Sequence, residues 1–60
     1  MIREFMEHMD LTYKETAQFL NRHLGTRYSA HRVKEWSGHF GYIRREPPHN
    51  VMQFLKERMK

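Results

Sequence analysis

Five histidines, His8, His23, His31, His39 and His49, are the side chains of this sequence best suited to hold a metal ion. Their successive spacings of 15, 8, 8 and 10 include no i, i+4 pair of the kind that places two zinc ligands on one helix face. The chain has no cysteine, so thiolate ligands and disulfides are both excluded. No metal and no other cofactor is expected. Catalysis finds no better support: there is no glycine-rich phosphate loop, no nucleophile set beside a histidine, and no carboxylate pair in an apolar setting. A chain of 60 residues also has little capacity to enclose a pocket that strips water from a substrate. The expectation is a protein that is not an enzyme.

Charge points elsewhere. Eleven Lys and Arg against seven Asp and Glu give a net charge of +4 and an isoelectric point near 9.9. Clustered cations favour a polyanion, because each bound cation releases counterions from a phosphate backbone. One polar and basic segment is His31, Arg32, Lys34 and Glu35, with Arg27 and Tyr28 before it and Arg44 and Arg45 after it.

These side chains need elements to position them, and the apolar spacing supplies helices. Ile2, Phe5, Met6 and Met9 make one stripe at i, i+3, i+4, i+7. Thr12 followed by Glu15 has the form of a capping box, so a second helix is predicted from Tyr13. Tyr13, Ala17, Leu20 and Leu24 form its apolar face, and Gly25 suits the left-handed residue that ends it. Ser29 is the next N-cap, followed by the stripe Ala30, Val33, Trp36 and Phe40, with Gly38 and Gly41 where that helix frays. Pro47-Pro48 interrupts the chain, and Val51, Phe54, Leu55 and Met59 define a last amphipathic helix. Tyr42-Ile43-Arg44-Arg45 reads equally as a short extended wing or as a loop.

The fold class is therefore all-α: one domain over residues 1–60 with four to five helices, with or without a short wing. No apolar run approaches the roughly 20 residues that span a bilayer, so no membrane partner is expected. Met1-Ile2-Arg3-Glu4-Phe5 carries an early acid and no apolar core of a signal peptide, and the expected address is cytoplasmic.

The order Leu11-Thr12-x-x-Glu15-x-Ala17-x-x-Leu20, then Ser29-x-x-x-Val33-x-x-Trp36, then Pro47-Pro48-x-x-Val51 resembles the Cro/Xre-type helix-turn-helix regulators of phages and bacteria. The small Ala17 stands where the two helices of such a motif must approach closely. One departure is the segment Asn21 to Tyr28, longer than the family's short turn, which reads as extra length on the second helix followed by a turn at Gly25-Thr26-Arg27.

The resemblance implies sequence-specific binding of double-stranded DNA by a small transcriptional regulator, a repressor of phage or mobile-element type. It implies base-edge contacts from Ser29, Ala30, His31, Arg32, Lys34 and Glu35 on the third helix. Lys and Arg would donate to guanine, Ala30 would touch a thymine methyl, and Glu35 would accept from cytosine or orient a neighbouring arginine. Backbone contacts would come from Thr12, Tyr13 and Lys14 at the start of the second helix, from Arg27 and Tyr28 in the turn, and from Arg44 and Arg45. A homodimer on an inverted repeat is the expected assembly, with Phe19, Tyr42, Met52 and Met59 as interface candidates. Two alternatives remain at this point: a protein-interaction module that binds a host regulatory protein, and an excisionase-like architectural protein that bends its DNA.

Overall fold

The first apolar stripe forms a helix of eight residues, α1 (Ile2–Met9), in the computed structural model, which describes residues 2–38 and 45–59. Ile2, Phe5 and Met6 are buried, whereas Met9, at the end of the stripe, is exposed. The helix stops at Asp10, whose φ of 55° is left-handed. Leu11 N–H then donates to Met6 O at 3.0 Å and Asp10 N–H to Glu7 O at 3.3 Å. This is the Schellman pattern, with an aspartate at the position glycine fills at least cost.

Helix α2 (Tyr13–Leu24) begins as its capping box requires. Thr12 Oγ1 accepts from Glu15 N–H at 3.1 Å, and Glu15 Oε1 accepts from Thr12 N–H at 3.0 Å. Two amide donors that the first turn would leave orphaned are thereby satisfied. Thr16 and Ala17 and Leu20 are buried on the inner face. The hydroxyl of Thr16 donates to Thr12 O at 2.8 Å, so its polar atom is met locally and its methyl is free to pack. Gly25, at φ 67°, closes the helix with its N–H donating to Asn21 O.

Helix α3 (Ala30–Ser37) is capped by Ser29, whose Oγ accepts from Arg32 N–H at 3.2 Å, and ends at Gly38 with φ 73°. Val33 and Trp36 are buried, and Ser37 is buried with its hydroxyl donating to Lys34 O at 2.8 Å. Helix α4 (His49–Arg58) follows Pro48, which offers no side-chain cap but accepts from Met52 N–H at 3.0 Å. Val51 and Leu55 are its buried residues.

The buried stripes of the four helices meet in one core of Ile2, Phe5, Met6, Ala17, Leu20, Val33, Trp36, Val51 and Leu55. A fully buried aliphatic or aromatic side chain of this kind contributes roughly 1.5–3 kcal/mol relative to exposure. Helix α3 lies mainly against α2 and also against α1, and α4 rests on α2. Around Phe19, its ring centroid is 5.8 Å from Phe5 and 5.8 Å from Phe54, and 4.5 Å from the ring of His23. Arg58 covers the rings of Phe19 and Phe54 at 5.6 and 5.1 Å and reaches His23 Nδ1 at 3.5 Å. Phe19 therefore takes part in the packing of α2 against α4.

The chain is all-helical among the described residues, with four helices and no strand. No described helix is long and apolar enough to cross a membrane. Phe40, Gly41, Tyr42, Ile43 and Arg44 lie outside the described residues, and with them most of the segment read as a wing or loop.

Candidate nucleic-acid interface

Burying Val33 and Trp36 fixes which side of α3 faces outward. His31 and Arg32 are exposed there, Lys34 and Glu35 are half-buried at its edges, and Ser29 and Ala30 lie at its amino end. All six residues expected to reach base edges thus occupy the start or the outer side of one short helix.

The turn before α3 is held by a side chain that sequence reasoning assigned no role. Asn21, on the last turn of α2, donates from Nδ2 to Tyr28 O at 2.9 Å and accepts at Oδ1 from Tyr28 N–H at 2.7 Å and Thr26 Oγ1 at 2.9 Å. An asparagine amide presents a donor and an acceptor as a peptide does, so it can close a turn from the side. An asparagine four residues, about one helical turn, ahead of a helix-ending glycine was the available signal. The clamp grips the backbone of Tyr28, one residue before the N-cap of α3. The Tyr28 ring in turn meets Trp36 edge-on, with centroids 4.9 Å apart. The long connection between the helices is thereby given one shape.

Two contacts join other elements to α3. Lys34 Nζ lies 5.5 Å from the centroid of the Tyr13 ring, which links the middle of α3 to the amino end of α2. Glu35 Oε1 lies 3.4 Å from His31 Nε2, and Glu35 Oε2 lies 3.4 Å from Arg45 Nε. The backbone repeats this second link, with Arg45 N–H donating to Glu35 O at 3.2 Å. Arg45, expected as a wing or backbone residue, is thus seated beside α3, while Arg44 lies outside the described residues.

No family model, curated protein or solved structure matches this chain. What the surface can do must be read from its own geometry.

Thr12 and Ser29 are occupied as caps. The Glu15 carboxylate already sits on the amino end of α2, and its bonds with the Thr12 backbone and hydroxyl hold its carboxyl below the ordinary value of 4.5. That negative charge competes with any anion approaching the same helix end, which leaves Lys14 and the Tyr13 hydroxyl as the groups suited to an anion there. Lys14, Arg27 and Arg32 are exposed and make no ion pair among the described residues. Among those residues no group of three or more His, Asp or Glu side chains is gathered as metal ligands would be. The surface joins an outward helix face with exposed cations at the start of α2 and in the turn before α3, a combination chemically suited to a polyanion.

Proposed function

We propose that this chain binds double-stranded DNA sequence-specifically, as a small transcriptional regulator of the Cro/Xre helix-turn-helix type, with α3 in the major groove. The observation that carries the reading is the outward side of α3. It bears His31, Arg32, Lys34 and Glu35 while Val33 and Trp36 anchor it to the core. An eight-residue helix fits the width of a major groove, and a polar face with imidazole, guanidinium, ammonium and carboxylate groups matches the donors and acceptors of base edges. Lys14 at the start of α2 and Arg27 in the turn before α3 are exposed cations suited to phosphate contacts. The resemblance to phage and bacterial regulators rests on the motif order and adds the expectation of a repressor working in the cytoplasm, where its DNA is.

One copy is 28 Å along its longest axis, shorter than the roughly 34 Å between half-sites one helical turn apart. Reading both halves of an inverted repeat therefore takes two copies, and a homodimer is the assembly proposed.

The deciding experiment is selection from a pool of random duplexes, with affinities then measured across a salt series. The expected result is a short enriched sequence. Arg32→Ala should cost roughly 1–3 kcal/mol on that sequence and relax one position of it. Lys14→Ala should weaken all duplexes alike and flatten the salt slope by about 0.9. A chain that retains no duplex even at about 50 mM salt, where phosphate contacts are strong, does not bind DNA and the proposal fails.

A further inference from the structure

The arrangement around Glu35 goes further than a basic surface. Glu35 stands on the second turn of α3 with its two carboxylate oxygens engaged separately, Oε1 by His31 and Oε2 by Arg45. Its side chain is 24% exposed, against 66% for His31 and 73% for Arg45. The acid is thus the inner member of the trio, and the imidazole and guanidinium are the outer ones. An approaching duplex meets the imidazole and the guanidinium before it meets the carboxylate.

We infer that Glu35 is a positioning residue, and that the Arg45 guanidinium it holds reads a guanine at one defined place in the operator. This rests on the DNA-binding reading above. The ion pair engages Arg45 at Nε. The two Nη groups form the end-on fork that pairs with guanine O6 and N7, and they are not the atoms that hold the side chain to the protein. The backbone bond from Arg45 N–H to Glu35 O ties the same residue to α3 a second time, so both ends of the arginine are fixed to the reading helix. An arginine held in this way loses less freedom on binding than one swinging from a loop. Lysine in its place would keep the charge and lose the fork. Direct recognition of cytosine by Glu35 would require the carboxylate to leave both His31 and Arg45, which removes the reason for its placement.

The test is selection from random duplexes with the wild-type chain, Glu35→Gln, Arg45→Ala, Arg45→Lys and the Glu35→Gln/Arg45→Ala double variant, each first shown by thermal melting to be folded. The expected result is a guanine preference at one position that Arg45→Ala lowers by about 5- to 150-fold, with the other positions keeping theirs. Arg45→Lys should lose the same preference while retaining the salt slope, and Glu35→Gln should weaken it in the wild-type background but add nothing once Arg45 is gone. Arg45→Ala that weakens every duplex alike makes Arg45 a phosphate contact and overturns the inference. Glu35→Gln that relaxes a different, cytosine-bearing position overturns it as well, since Glu35 would then read a base itself. A wild-type chain that binds no duplex removes the inference together with the DNA reading, whereas the two preceding outcomes remove the inference alone.

Discussion

Replacing Asn21 with alanine isolates the contribution of the turn clamp. The substitution deletes three hydrogen bonds, two to the backbone of Tyr28 and one to the Thr26 hydroxyl. Each such bond contributes about 1 kcal/mol net, and a buried partner left unsatisfied costs more than an exposed one. All three are only partly buried, so water recovers some of the loss, most readily at the Thr26 hydroxyl. The two Tyr28 bonds then dominate, and the expected cost is about 2 kcal/mol. For a domain of this size, with a total stability of roughly 3–9 kcal/mol, that is a large fraction. The melting temperature should fall by roughly 8–16 °C.

The sole tryptophan, Trp36, makes the assay direct. It is 3% exposed and touches Tyr28, so its fluorescence follows both the core and the clamped turn during urea unfolding. Thr26→Ala is the internal control, because it removes one of the three bonds and should cost no more than about 1 kcal/mol. DNA affinity of Asn21→Ala, measured well below its melting temperature, should drop as well, since the released turn no longer sets the direction of α3. An Asn21→Ala midpoint within about 0.5 kcal/mol of wild type would be the behaviour of an ordinary surface site and would refute the clamp. Equal losses for Asn21→Ala and Thr26→Ala would show that the Tyr28 bonds contribute nothing.

Three further substitutions test other links between sequence and fold. Asp10→Gly should raise stability by about 0.5–1 kcal/mol in the same urea assay, because the left-handed backbone at this position strains any residue with a Cβ; an unchanged or lower midpoint would mean the Schellman turn is not what sets that angle. For Glu15 the folded-state carboxyl is held low, so its ionised form stabilises the fold at neutral pH and this contribution disappears as pH falls through the depressed value. The melting temperature of Glu15→Gln should therefore lie below wild type at neutral pH and converge with it in strong acid, and a gap independent of pH would contradict the capping box. Phe19→Ala should cost about 2 kcal/mol, less than for a fully buried phenylalanine, without changing the sedimentation behaviour; a changed oligomeric state at constant stability would place Phe19 at an interface after all.

Helix placement was largely legible in the sequence because the signals that set it are local. Thr12 with Glu15, Ser29, Gly25 and the proline pair each act on residues within one turn, and the helices begin and end where these residues put them. The apolar stripes likewise found Phe5, Leu20, Val33, Trp36, Val51 and Leu55. What escaped depends on partners distant in sequence or on polar groups satisfied unseen. Phe19 looked surplus to its stripe until α4 brought Phe54 against it. Thr16 and Ser37 belong to no apolar stripe, yet both are buried, Thr16 with its hydroxyl on the carbonyl of the N-cap Thr12 and Ser37 with its own on that of Lys34. Met9 shows the reverse, keeping the helical spacing of a core residue but standing exposed as the last residue of α1. The union of Glu35 with Arg45 depends on a return of the chain that no local spacing encodes.

The division between these groups bears on how so small a domain can present a defined surface. An isolated helix of eight residues is far below the length at which helices persist in water, so α3 exists only through its attachments. Burying Val33 and Trp36 fixes which side of α3 faces outward, but apolar packing is non-directional and tolerates rotation and sliding. The polar contacts supply what packing omits: Asn21 sets where the helix starts, Lys34 over Tyr13 sets its distance from α2, and Glu35 joins Arg45 to its outer edge. Each is directional and partly exposed, and each single bond or ion pair within them is weak, at about 1 kcal/mol or less. Stability and recognition are therefore carried by different residues of the same helix. Losing a core side chain should unfold the protein, whereas losing one of these clamps should leave it folded with a surface that no longer holds one geometry.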